Sequence, residues 1–201
     1  MKLTLQDRCD QYYQTFPNWN VPVVGIDGRI TGIWLLGNDY RSKTGYYGEY
    51  PPNYVRRVRT LFPEIFADEI LHLFSGAIVT ASLTLDINPD VNPRIVWDAE
   101  KLSEYPKTFI WKKIKLILAD PPYSEEDAKH YGTPFVSRNK VMKELAKVCH
   151  PGTWVVWLDQ VWPMYRKDEW RLRGIIGVVR STNHRVRMMF MFQKRAIQQP
   201  L

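Results

Sequence analysis

The sequence predicts an α/β fold: a mostly parallel sheet with an antiparallel C-terminal edge strand. Three observations carry that prediction. Short apolar runs recur along the chain and alternate with segments of helical spacing. One of these runs, Ile114 to Ala119, stops abruptly at Asp120-Pro121-Pro122-Tyr123. Two closing runs, 175–180 and 186–193, flank Ser181-Thr182-Asn183-His184 and read as a terminal hairpin.

The elements follow in order. Asp27-Gly28-Arg29 is a turn, and 30–36 an apolar strand. Residues 37–53, rich in Gly, Tyr and Pro, are expected to be extended. The helical spacing of Val55, Val58, Leu61 and Phe62 predicts a helix over 54–62, which Pro63 ends. Strands are expected at 70–74, 78–87, 94–97 and 115–119. Ser124 and the acidic residues after it suit a short capped helix. Val141, Met142, Leu145, Ala146 and Val148 predict a helix over 138–148, closed by Pro151-Gly152. A buried strand is expected at 153–158 and a helix over 164–172. Trp154, Trp157 and Trp170 are assigned to the core.

With 201 residues and 45% hydrophobic content, the chain suits one compact domain. We divide it into an N-terminal appendage, residues 1–36, and a main domain, 37–201. Cys9 and Cys149 lie far apart, and the four histidines are scattered. That argues against a disulfide framework and a metal knuckle, so no metal is expected. No stretch approaches membrane-spanning length and the N-terminus has no apolar leader core, so a cytoplasmic location is expected.

Charge is unevenly placed. Residues 1–165 balance 19 Lys and Arg against 19 Asp and Glu, so the whole net +7 sits in the last 36 positions. Arg166, Lys167, Arg171 and Arg173 open that basic stretch. Such a patch suits a polyanion, and nucleic acid is the expected partner.

The Asp-Pro-Pro-Tyr corner carries the chemistry. Consecutive prolines fix φ and delay any helix, leaving a rigid extended corner at a strand's carboxyl end. In open α/β sheets ligands bind at such ends. Asp120, the Pro121 carbonyl and the Tyr123 ring together present acceptors and a flat face, a set that grips a planar amine. His130, Tyr131 and Asn139 follow in a segment expected to border that pocket and to read base edges.

On these residues the chain resembles the class I S-adenosylmethionine-dependent methyltransferases, a Rossmann-like fold, and within them the DNA amino-methyltransferases (adenine-N6 and cytosine-N4). Phe74-Ser75-Gly76 is similar to their first motif, Asp86-Ile87 to the acid ending the second strand, and Asp98-Ala99 to the end of the third. Asp120-Pro121-Pro122-Tyr123 is similar to their DPPY motif. Gly48-Glu49-Tyr50-Pro51 before a helix resembles the segment covering the cofactor's methionine end.

The resemblance implies S-adenosylmethionine as cofactor, held by Tyr50, Pro51, Phe74, Ser75, Gly76, Asp86, Ile87, Asp98, Ala99 and Asp120. Asp120, Pro121, Pro122 and Tyr123 are the implied catalytic residues. The implied reaction is methyl transfer to an exocyclic amine of a nucleic-acid base, adenine N6 of DNA being favoured over RNA. An RNA base methyltransferase (adenine N6 or guanine N2) and a catalytically degenerate binding module are the alternatives. Only ten positions separate Gly76 from Asp86, so the first crossover helix is expected to be reduced. There is no room for a large target-recognition domain, which makes a protein partner for target recognition an expectation.

Overall fold

The structure is a computed structural model that describes residues 3–37, 50–180 and 186–196. Gly48, Glu49 and the turn expected at 181–184 lie outside the described residues. Among the described residues nine strands form one mixed sheet. In chain order they are β1 (Val23–Val24), β2 (Ile30–Leu36), β3 (Ile70–Leu73), β4 (Leu83–Asp86), β5 (Ile95–Val96), β6 (Leu116–Ala119), β7 (Trp154–Asp159), β8 (Trp170–Arg180) and β9 (Val186–Lys194). The α-helices among the described residues are α1 (Leu5–Thr15), α2 (Tyr54–Thr60), α3 (Glu125–His130) and α4 (Arg138–Val148).

The spatial order is β1-β2-β8-β9-β7-β6-β3-β4-β5. From β3 the chain winds outward through β4 to β5. It then returns to β6 and winds the other way through β7. All these neighbours pair in parallel. The order therefore reverses between β3 and β6, and that crevice is where open α/β sheets bind ligands. The antiparallel C-terminal strand β9 enters between β7 and β8, while the antiparallel strand at the rim is β1.

Alternation along the strands divides the core into two layers. Leu116 and Leu118 of β6 and Trp154, Val156 and Leu158 of β7 face α1 and α2. Ile117, Ala119, Val155 and Trp157 face α4, whose Val141, Met142 and Leu145 cover them. Trp154, Trp157 and Trp170 are buried, as expected. Residues 3–36 add β1 and β2 to this same sheet and pack α1 against it. Arg8 of α1, only 2% exposed, donates to the Leu61 carbonyl at 2.6 Å and pairs with Glu64 at 2.5 Å.

Two expected elements differ. No helix occupies 164–172. A single turn closes on the Arg166 carbonyl, and Trp170 opens β8. Trp170 and Leu172 share a face because they are two apart in a strand, a spacing that a helix does not share. The strand expected over 78–87 shortens to β4. Thr80 takes the Ser82 N–H at 3.2 Å, a side-chain bond that competes with strand pairing. No helix forms in this link, so the first crossover helix is indeed reduced. Helix α1 is an element the expectations omit, although its signals are present: Thr4 and Asp7 form a capping box, and Leu5, Cys9 and Tyr12 are buried along one face.

Candidate active site

The parallel strands β3, β4, β5, β6 and β7 end at one rim. That rim gathers Phe74, Asp86, Asp98, Asp120 and Asp159 from residues far apart in sequence. Neighbouring strands lie about 4.8 Å apart, so the ends of β6 to β5 span roughly 14 Å.

Asp120 leaves β6 at the switch point. All four residues of β6 are buried, so the chain reaches the rim as a fully packed strand and turns there on Pro121 and Pro122. Burial pushes the Asp120 carboxyl up to about 7, and the negative charge of Asp159 adds to that. Arg187 and the hydrogen bond from Tyr123 oppose the rise. The Tyr123 hydroxyl donates to Asp120 Oδ1. Its phenol is held well above the usual range, mainly by burial. The Arg187 guanidinium sits 4.8 Å over one face of the Tyr123 ring.

A buried clamp fixes the corner from behind. Asp159, fully buried, accepts from Arg138 Nε at 2.7 Å and Nη2 at 3.1 Å. It also accepts from Trp157 Nε1 at 3.0 Å and from the backbone N–H groups of Gln160 and Val161. Arg138 Nη2 in turn donates to the Tyr123 carbonyl at 3.1 Å and the Pro122 carbonyl at 3.5 Å. The start of α4 and the end of β7 thereby hold the backbone that follows Asp120.

Tyr50 packs beneath the same corner. Its hydroxyl donates to the Leu118 carbonyl at 3.4 Å and lies 3.4 Å from His72 Nδ1; its ring stacks on Tyr54. Pro51 is buried beside it. Burial pushes the His72 imidazole down to about 4.

The turn after β3 is strained. Phe74 has φ +60°, which is rare for a bulky side chain and costs on the order of 1–3 kcal/mol. Gly76 follows at φ +52°, at no such cost. Phe74 lies edge-on to Trp157, and the buried Ser75 donates its N–H to the Leu85 carbonyl at 3.1 Å. Asp86 closes this turn: Oδ2 accepts from Gly76 N at 2.8 Å and Oδ1 from Asn88 N at 2.9 Å. Ile87 beside it is 39% exposed. Asp98 caps a short 3₁₀ turn by accepting from Glu100 N at 2.8 Å, and Ala99 is buried.

The remaining expected residues divide. Ser124 caps α3, accepting from Asp127 N at 3.0 Å. His130 and Tyr131 end that helix with their rings edge to face, and Asn139 is exposed in the first turn of α4. A cleft of about 450 Å³ lined by Ser124, Glu126, Asp127, Gln160 and Val186 opens here. Arg166, Lys167, Arg171 and Arg173 are not brought to this rim. They stand at the start of β8 or just before it, and β8 runs 11 residues, roughly 33 Å, to its site end. Arg166 is paired with Asp168 at 2.5 Å. The site gains instead Arg138, Asp159 and Arg187. Arg138 belongs to the segment expected to border the pocket, whereas no spacing in the sequence marks Asp159 or Arg187, which reach the corner only through the sheet order.

Among the described residues no cluster of His, Cys, Asp and Glu could hold a metal ion, and no helix is long and apolar enough to cross a membrane.

No protein-family model and no curated protein matches this chain. Solved structures do. TrmN from Thermus thermophilus is 15% identical, with a TM-score of 0.51 over 72% of this chain and 49% of that one. An rRNA methylase from Streptococcus thermophilus is 9% identical, with a TM-score of 0.43 over 75% of this chain and 100% of that one. A point mutant of MtNAS in complex with S-adenosylmethionine is 11% identical, with a TM-score of 0.42 over 72% of this chain and 64% of that one. This chain spans about half the length of TrmN. The likeness to TrmN is one of fold, and with the reversal at β3 and β6 it makes the sheet Rossmann-like.

Proposed function

We propose that this protein transfers a methyl group from S-adenosylmethionine to an exocyclic amine of a nucleic-acid base, with adenine N6 of DNA the favoured target. The observation that carries the reading is Asp120: a carboxyl at the switch point, followed by Pro121 and bonded by Tyr123.

The residues at the neighbouring strand ends fit the cofactor. Asp86 keeps lone pairs for a ribose diol after taking two backbone N–H groups, since a carboxylate offers about four acceptor sites. The exposed Ile87 offers an apolar face for adenine, and Asp98 with Ala99 follows on the next strand. The tight turn at Phe74, Ser75 and Gly76 leaves backbone close to the rim, and Tyr50 with Pro51 lies under the corner. When bound, S-adenosylmethionine supplies the methyl group as a sulfonium.

The chain's own task is to prepare the amine. The lone pair of an exocyclic nitrogen is delocalised into its ring. Asp120 and the Pro121 carbonyl accept its two N–H groups and favour the tetrahedral nitrogen, freeing that lone pair. Positive charge then grows on nitrogen beside a preorganised carboxylate. Tyr123 orients both, holding Asp120 through its hydroxyl and the ring of the base by stacking. A base inside a duplex cannot reach this corner, so the target is flipped out or single-stranded.

The test is incubation with labelled S-adenosylmethionine and separate unmethylated DNA and RNA pools, followed by nucleoside mass spectrometry. N6-methyladenine in DNA, lost in Asp120→Ala with cofactor binding retained, is the expected result. A product confined to RNA moves the reading to an RNA base methyltransferase. One observation favours a binding module instead: both Asp86 oxygens already serve the shortened link. Calorimetry separates the two, because the enzyme binds S-adenosylmethionine and Asp86→Ala weakens that binding, whereas a binding module shows no heat at millimolar ligand.

A further inference from the structure

Arg187 stands on β9, and no motif points to it. It pairs with Val178 in the β8–β9 register, one residue from the start of β9, and because β9 runs antiparallel this start lies at the site rim. Met189 and Met191, two and four positions on, face the layer under α1 and α2. Leu116 and Leu118 of β6 face the same layer, so alternation carries Asp120 and Arg187 to one side of the sheet. The guanidinium lies 4.8 Å over the Tyr123 ring, whose hydroxyl is bonded to Asp120. Arg187 Nε is buried and meets no acceptor among the described residues.

We propose that Arg187 is a positioning residue of the amine-binding corner: it covers one face of Tyr123, so that the target base stacks on the opposite face, and it places a positive charge beside the Asp120 carboxyl. The inference rests on the reading of Asp120 as the amine acceptor. A cation over one aromatic face is attracted by the ring's negative quadrupole and excludes a second ring from that face. The stacked base thus has a single side of approach, and its amine meets Asp120 from a fixed direction.

The charge has a second effect. Arg187 opposes the burial that disfavours the Asp120 carboxylate, and it acts on Tyr123 and Tyr54 as well. Among the described residues the other groups facing Asp120 are Tyr123 on its own corner, Tyr50 and Tyr54 from the α2 side with His72 of β3 behind Tyr50, and Asp159 at the end of β7. Asp159 is itself paired to Arg138 of α4. Of these, Arg187 is the cation that bears on Asp120 directly.

The experiment follows the Asp120 carboxyl by carbon NMR across pH, with the signal assigned by Asp120→Asn, in the parent protein, Arg187→Gln and Arg187→Lys. Losing the charge in Arg187→Gln is expected to raise the Asp120 midpoint by roughly one unit. Arg187→Lys keeps the midpoint but loses the planar cover, so KM for the nucleic-acid substrate rises while kcat is retained. An unmoved midpoint in Arg187→Gln, or an unchanged KM in Arg187→Lys, overturns the inference. The titration needs no methyl acceptor, so it reads the charge independently of turnover. A shifted midpoint with no methylated product supports the charge coupling and overturns the enzyme reading; product formed with an unmoved midpoint overturns the inference alone.

Discussion

Asp120 is placed where charge is disfavoured, whereas the proposed function needs it as an acceptor, and this tension has measurable consequences. Its carboxyl titrates near 7 instead of near 4 because burial outweighs Arg187. On the proposed function, acceptance from the amine requires the carboxylate, so kcat/KM is expected to fall as pH drops below about 7. The same shift affects stability. The folded state holds this proton more tightly than the unfolded state, so its stability is greatest below about pH 4, declines as pH rises toward 7 and stays lower above it. Asp120→Asn removes the dependence. Urea unfolding is expected to find that variant more stable than the parent at pH 8, by about 4 kcal/mol, and equal to it at pH 4. Equal stability at both values would show that the carboxyl is well solvated.

At the scale of elements, the corner is held by the pair that joins α4 to β7. Arg138 and Asp159 are mutually bidentate, and Arg138 also takes the carbonyls after Asp120. Buried pairs add little net stability over an apolar substitute, but breaking one strands a charge. Asp159→Ala is therefore expected to destabilise the protein by roughly 3–5 kcal/mol, read by denaturant unfolding. Trp157 Nε1 and two backbone N–H groups lose their acceptor in the same variant. Asp159→Asn, which keeps an acceptor for part of this set, should cost less. A loss below about 1 kcal/mol in Asp159→Ala would mean that water replaces the carboxylate.

Across the whole molecule, the sheet divides the basic stretch between its two rims. Arg180 and Arg187 lie at the site end of β8 and β9, whereas Arg171, Arg173, Lys194 and Arg195 lie at the opposite end. On the proposed function the base must reach Asp120, which makes the site rim the contacting surface. Reversing Arg171 and Arg173 together is expected to leave the salt dependence of nucleic-acid binding unchanged, measured by fluorescence anisotropy against salt concentration. A slope that falls by about two would instead extend the nucleic-acid path along the full length of β8.

What the sequence determined by itself is local. The packed run into Pro121 and Pro122, the spacing of Val141, Met142 and Leu145 on α4, the Ser124 cap and the absence of a helix between Gly76 and Asp86 all follow from neighbouring residues, because propensity and periodicity act over a few positions. Trp170 is ambiguous at that range, since one apolar pair suits both a helix and a strand until a partner strand is known. The tertiary structure alone decided what faces Asp120. Arg138 lies 21 residues from Asp159, and Arg187 lies 64 residues beyond Tyr123. These groups meet because parallel strands end at one rim and β9 returns between β7 and β8. Strand order is set by the burial of both sheet faces, a property of the assembled layers that no short window of sequence contains.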